Sequence, residues 1–168
     1  VEASRWLNRI EPERIDRVLL SVADAAERRS DDILAANRED LARKDPSDPM
    51  YDRLQLTPER ITGIAADMRN VASLPSPLGL TLDERMRPNG MKIRKVSVPF
   101  GVIGVIYEAR PNVGFDVFSL CLKAGSACVL KGGSDARDSN AAIAELIRDV
   151  LRENGFDEHC VTLMPPGR

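Results

Sequence analysis

Two short stretches concentrate the residue types that chemistry requires, and the first is Lys131-Gly132-Gly133-Ser134. Adjacent glycines let a backbone approach a ligand closely, a lysine offers a charged donor to ribose or phosphate oxygens, and Ser134 adds a hydroxyl near the start of a helix. The pattern is neither G-x-G-x-x-G nor a P-loop, and a tight strand-to-helix turn with a solvent-facing lysine accounts for it at least as well. The second stretch is Glu108-Ala109-Arg110-Pro111-Asn112. Arg110 could pair bidentately with a carboxylate or phosphate, and the Asn112 amide could stabilise an oxyanion. The plainer alternatives are a salt bridge to the sheet for Arg110 and a helix N-cap for Asn112, and for Asn112 the cap is the better match. Gly101 and Gly104 read as close-packing positions. Cys121, Cys128 and Cys160 follow neither zinc-ligand nor disulfide spacing and fall in apolar segments, an apolar helix and two strands, so they read as buried thiols with raised pKa and no metal is expected. His159, the single histidine, has no nucleophile or acid near it in sequence and receives no role.

These stretches need elements to hold them. Val102 to Tyr107 is a β-branched and aromatic run without polar alternation, which predicts a strand of a parallel sheet buried on both faces. Val113 to Lys123 is apolar on nearly every side and predicts a deeply packed helix, stopped by Gly125. Ala127 to Leu130 is a second strand. Asp138 or Ser139 is expected to cap the next helix, whose stripe is Ile143, Leu146, Ile147, Val150 and Leu151 and whose stop is Gly155. His159 to Met164 completes a third strand, and Pro165-Pro166-Gly167-Arg168 reads as the loop after it. The βαβ unit so formed places both chemical stretches at the carboxyl edge of the sheet, where open α/β sheets hold ligands.

Upstream the period is helical. Trp6, Leu7 and Ile10, then Ile15 to Ala26, are broken or kinked at Pro12; Ser30 is expected to cap a helix running towards Asp45; and Thr57-Pro58-Glu59 opens another with Ile61, Ile64, Ala65 and Met68 inward. From Leu80 to Val98 the period becomes two around Arg87-Pro88-Asn89-Gly90, a hairpin whose second arm is expected to be half exposed and to pair outside the domain. The reading is therefore α/β: a helical segment over 1–79, a hairpin arm over 80–98, and a doubly wound Rossmann-like half over 99–168. The charge balance of 24 basic against 26 acidic residues offers no basic field for nucleic acid. No apolar run approaches the roughly 20 residues that span a bilayer, and the N-terminus lacks a signal-peptide core, so a cytoplasmic location is expected.

The run Val-Pro-Phe-Gly-Val-Ile-Gly-Val-Ile-Tyr-Glu-Ala-Arg-Pro-Asn-Val from Val98, with Leu-Cys-Leu-Lys-Ala-Gly and Leu-Lys-Gly-Gly-Ser-Asp-Ala after it, closely resembles the gamma-glutamyl phosphate reductase (glutamate-5-semialdehyde dehydrogenase) family of the aldehyde dehydrogenase superfamily. Asp52-Arg53-Leu54, Leu56-Thr57, Arg60-Ile61 and Arg87-Pro88-Asn89-Gly90 extend the resemblance over essentially the whole chain. It implies NADPH-dependent reduction of L-glutamyl 5-phosphate to L-glutamate 5-semialdehyde, through a cysteine thioester, in proline biosynthesis. Coupling to glutamate 5-kinase is a further expectation, and the edge hydrogen-bonding groups of the Leu80–Val98 arm, which a partner subunit could satisfy, add that of a homo-oligomer. By this resemblance Lys131 matches the ribose-contacting lysine, with Gly132, Gly133 and Ser134 completing the cofactor loop. Ser134 stands where NAD-dependent relatives carry a glutamate, which favours NADP. Asn112 matches the oxyanion asparagine, and Arg110 is assigned to the substrate. The family's catalytic cysteine and second glycine-rich segment are expected beyond Arg168, so the catalytic domain is expected to be absent and the chain alone inactive. A non-catalytic nucleotide-binding or assembly fragment, or another acyl-reducing member such as an acyl-CoA reductase, are the competing readings.

Overall fold

The computed structural model describes residues 1–165. Five helices come first: α1 (Glu2–Leu7), α2 (Pro12–Arg28), α3 (Ser30–Ala42), α4 (Tyr51–Leu54) and α5 (Pro58–Ser73). Pro12 starts α2 afresh, since its missing N–H is one that the first turn leaves without an intrahelical partner. Thr57 caps α5 as expected, its hydroxyl accepting the Arg60 N–H at 3.2 Å. Ser30 does not cap α3. Only Arg29 separates α2 from α3, so Ser30 is already helical and its side chain makes no cap bond. That helix also ends three residues before Asp45, and the short α4 was not anticipated.

The hairpin of β1 (Thr81–Met86) and β2 (Lys92–Val96) is antiparallel, with Gly90 at φ +82° closing the turn. Both strands are exposed throughout, not half exposed, and Glu84 joins Lys92 at 2.8 Å and Arg94 at 2.7 Å across them.

The remainder builds a parallel three-stranded sheet in the order β3-β4-β5 from β3 (Val102–Ile106), β4 (Ala127–Lys131) and β5 (Val161–Leu163), with crossover helices α6 (Val113–Lys123) and α7 (Arg137–Glu153). Gly125 and Gly155 end α6 and α7 at φ +65° and +67°, a region open to glycine and closed to most side chains. Leu19, Val22, Phe115, Phe118, Leu122, Cys128, Leu130, Ile143, Ile147 and Val161 share one core that fuses the N-terminal helices to the sheet. Two expectations fail here. β3 is not buried on both faces: Ile103 reaches the core, while Val102 is 41% and Ile106 85% exposed, because they lie on the opposite face, which no described element covers. Cys160 lies in a 3₁₀ turn before β5, so the third strand begins two residues later than His159. The loop read over 165–168 falls, beyond Pro165, outside the described residues. Among the described residues no helix is long and apolar enough to cross a membrane.

Neither Asp138 nor Ser139 caps α7 with its own side chain. The cap comes from α3 instead. Asp40 accepts the N–H of Asp138 at 3.0 Å and of Ser139 at 2.8 Å, and the Ser139 hydroxyl at 2.6 Å, while Arg43 pairs with the same carboxylate. Next to it Asn37 donates to the Leu54 carbonyl and to Ser139 Oγ and accepts the Leu56 N–H, tying the α4–α5 connection to the same point.

Candidate functional site at the carboxyl edge of the sheet

The strand ends bring the two chemical stretches side by side. Tyr107 follows β3, its ring near Gly132, and its hydroxyl donates to Asn140 Oδ1 at 3.1 Å. Burial pushes the phenol up to about 12, so it stays protonated and keeps donating. A Cβ on Gly132 would lie 2.2 Å from Asn140 Nδ2, and one on Gly133 would lie 3.3 Å from the Glu108 Cα. The glycine pair is thus filled on these sides by the chain itself. The absence of side chains at both positions lets the two loops pack together. Ala109 is buried with Leu54 of α4 and Ala136, which pins the Glu108–Asn112 loop beneath the turn after Ser134.

Two kinds of cleft flank this junction. On one side Ser134, exposed and with no hydrogen-bond partner for its hydroxyl among the described residues, borders a cleft of about 270 Å³ with Met50, Glu108, Ala109, Gly133 and Asp135. A second cleft of similar volume beside it adds Asp40, Arg43 and Lys44, with Lys44 paired to Asp135 at 2.8 Å and Asp48 at 3.0 Å. Lys131 borders neither; its ammonium donates to the Pro165 carbonyl at 2.6 Å. On the other side Arg110 and Asn112 line a cleft of about 360 Å³ against α4, α5 and the turn between them. The expected residues therefore divide: Gly133 and Ser134 share one cleft, Arg110 and Asn112 the other.

Asn112 occupies the N-cap position of α6 but makes no side-chain cap; its amide donates to Asp116 Oδ2 at 3.0 Å. Burial raises the Asp116 pKa, partly offset by that amide and reinforced by the charge of Asp67. Arg110 makes no ion pair among the described residues, so the sheet salt bridge is not formed. The clefts also contain residues that sequence reasoning passed over: Arg53, Gly63 and Asp67 in the larger, and Lys44 beside Ser134. For Asn37, Asp40 and Asn140 a signal was present. Each is polar at a position that continues the apolar stripe of its helix, with Ile33, Asn37 and Asp40 in one row and Asn140 and Ile143 in another.

All three cysteines are buried and free. Burial pushes the Cys160 thiol up to about 12, and the hydrogen bond with Cys121 together with burial pushes Cys128 up strongly. Cys121 departs from the expected rise, because its bond with Cys128 lowers it. His159 is exposed and faces Asp157 at 2.9 Å.

No family model matches the chain. It is 60% identical over 166 residues to the gamma-glutamyl phosphate reductase of Bacteroides fragilis, a match covering 99% of this chain and 40% of that protein. The crystal structure of the gamma-glutamyl phosphate reductase from Thermotoga maritima superposes with a TM-score of 0.92 at 35% identity, over 97% of this chain and 40% of the other. At 19% identity and a TM-score of 0.71, the crystal structure of PnpE in complex with nicotinamide adenine dinucleotide shares the fold over 98% of this chain and 32% of that one. The chain spans about 40% of the length of the curated relatives it matches. The resemblance carried by the quoted motifs is borne out, and with it the aldehyde dehydrogenase type of fold.

Proposed function

We propose that this chain, which resembles the gamma-glutamyl phosphate reductases along essentially its whole length, is the cofactor-facing part of an enzyme that reduces L-glutamyl 5-phosphate to L-glutamate 5-semialdehyde with NADPH and releases phosphate. The observation that carries the reading is the pair of clefts around the β3 end, one holding Ser134 and the other Arg110 and Asn112. One suits a cofactor and the other a substrate.

The donors present fit the ribose side of a nicotinamide dinucleotide. The Ser134 hydroxyl is free to donate into its cleft; Lys131, which borders neither cleft there, donates to the Pro165 carbonyl and to no carboxylate among the described residues, and its assignment to the ribose rests on the resemblance. Asp135 and Glu108 border the same cleft; Lys44 pairs with Asp135, while Glu108 makes no ion pair among the described residues, so the preference for a 2′-phosphate rests on Ser134 standing where a glutamate would add a further carboxylate. When bound, the nicotinamide supplies the hydride. Asn112 has two amide N–H donors, of which the Asp116 bond uses one. The other is assigned to the carbonyl oxygen as negative charge builds on it. Arg110 is assigned to the phosphate or carboxylate of the substrate. None of the three buried cysteines fits the nucleophile that displaces phosphate, so that thiol is assigned to the part of the relatives' length this chain does not span. The exposed hairpin is assigned to contacts within a homo-oligomer in the cytoplasm, and the acyl phosphate calls for a kinase that makes it, glutamate 5-kinase in this reading.

The test is the reverse reaction: phosphate-dependent reduction of NADP with glutamate semialdehyde. Full-length protein should turn over and the 168-residue chain should not. Full-length protein that reduces acyl-CoA in preference to glutamyl phosphate would replace this reading. Ser134→Glu should weaken NADPH binding by about tenfold or more through charge repulsion while leaving NADH binding near the wild-type value, read by nicotinamide fluorescence. Equal loss for both cofactors would remove Ser134 from the 2′-phosphate assignment.

A further inference from the structure

We infer that the cleft between α5 and the Glu108–Asn112 loop reads the amino-acid end of the substrate, with Asp67 receiving the α-ammonium and Gly63 leaving the room it occupies. The inference rests on the function proposed above and deepens it. The argument starts from which charges in the cleft are already satisfied. Arg60 is not available: its guanidinium donates to the Asp52 and Gln55 carbonyls, both at 2.6 Å, and to the Asp52 carboxylate at 2.8 Å. Arg110 makes no ion pair, and Arg53 makes only a 3.7 Å contact to Met50 Sδ. Asp67, on the same wall, makes no ion pair or hydrogen bond among the described residues. What remains is two free guanidinium groups and one free carboxylate around a cavity of about 360 Å³. That is the complement of a molecule with two anionic ends and one ammonium, such as an amino acid phosphorylated on its side-chain carboxylate. A fatty or aromatic aldehyde would leave all three charges unmatched.

Gly63 lies four residues before Asp67, one turn earlier on the same face of α5. A Cβ added there would meet nothing within 4 Å, and the residue has no positive φ that would demand glycine. Glycine inside a helix is otherwise unfavourable, so its presence on the cleft wall is accounted for by the space it leaves open. Asp67 also borders a smaller cleft with Asp116, whose carboxyl is raised by burial and, to a smaller extent, by the charge of Asp67.

The experiment uses the full-length protein and two aldehydes, L-glutamate 5-semialdehyde and 5-oxopentanoate, which is the same chain without the amino group, each with NADP and phosphate. Wild type should prefer the aminated aldehyde. Asp67→Asn keeps size and surface position but removes the charge, and should cut that preference in kcat/KM by about tenfold to a hundredfold, the worth of one charge-assisted hydrogen bond. Its thermal midpoint should not move. Gly63→Leu should fold at least as stably, because a Cβ there meets nothing within 4 Å and leucine favours helix, yet raise KM for both aldehydes by filling the cleft. An unchanged preference in Asp67→Asn, or a wild-type KM in Gly63→Leu, would overturn the inference while wild-type turnover left the proposed function standing. Wild-type protein inactive on both aldehydes would remove the two together.

Discussion

Gly132 and Gly133 are glycines because of what stands beside them. Neither has a positive φ, so torsion does not require them; Asn140 and the Glu108 backbone do. Gly132→Ala should therefore displace the Asn140 amide, break its bond with Tyr107 and destabilise the protein by about 1–3 kcal/mol. Gly63→Ala, with open space around it, should stabilise by about 0.5–1 kcal/mol. Urea midpoints of the two variants against wild type check the pair, and equal effects would show that helix propensity or flexibility, not crowding, sets the role of Gly132. A glycine pair admits the close approach of a ligand or of the chain itself, and residue type alone does not tell which atoms fill the missing side chain. The same holds for Asn112. Its place at the start of α6 was legible, yet its amide turns to Asp116, a partner inside its own helix, and not to a backbone N–H.

At the scale of elements, what was legible was what is local. Helical period, Pro12, the Thr57-Pro58 start and the stops at Gly125 and Gly155 all act within a few residues, and each stands in the structure. What was not legible depends on distant chain. The Asp138 or Ser139 cap fails because a carboxylate from α3 does that work, and the exposed face of β3 was not legible because apolar composition does not tell which faces of a strand other elements cover. Asp40→Asn tests the first point. The side chain is fully buried and serves two N–H groups, a hydroxyl and Arg43. Replacing one of its oxygens by an N–H donor should cost about 2–3 kcal/mol by urea denaturation, combining a weakened cap with a buried donor left facing another. A loss below about 0.5 kcal/mol would show that α7 is held by its apolar face alone.

The whole molecule carries its least screened apolar surface on one side. Phe100 is 89% exposed and continues into Val102 and Ile106, beside a hairpin with no buried residue. The thiols are buried in the core, and they make stability depend on alkaline pH. In the unfolded chain a thiol releases its proton near pH 9, whereas the folded chain holds that of Cys160 to about 12. The stabilising contribution is thus complete below pH 9 and is lost between 9 and 12, at about 1.4 kcal/mol per pH unit for each thiol so held. Cys160→Ala should flatten the fall in unfolding free energy between pH 9 and 10.5 by roughly one proton's worth; an unaltered slope would mean that the thiol ionises in the folded state as freely as in water. The Asp40 cap has a consequence in time as well as in energy. Its carboxylate and the Ser139 N–H are 99 residues apart, so on a chain made from the N-terminus the acceptor waits, paired with Arg43, until the first turn of α7 has been synthesised. Contacts of that span close late. The turn that carries Ser134 is therefore among the last parts to take its shape, and substitutions at Asp40 belong in the unfolding arm of a chevron more than in the folding arm.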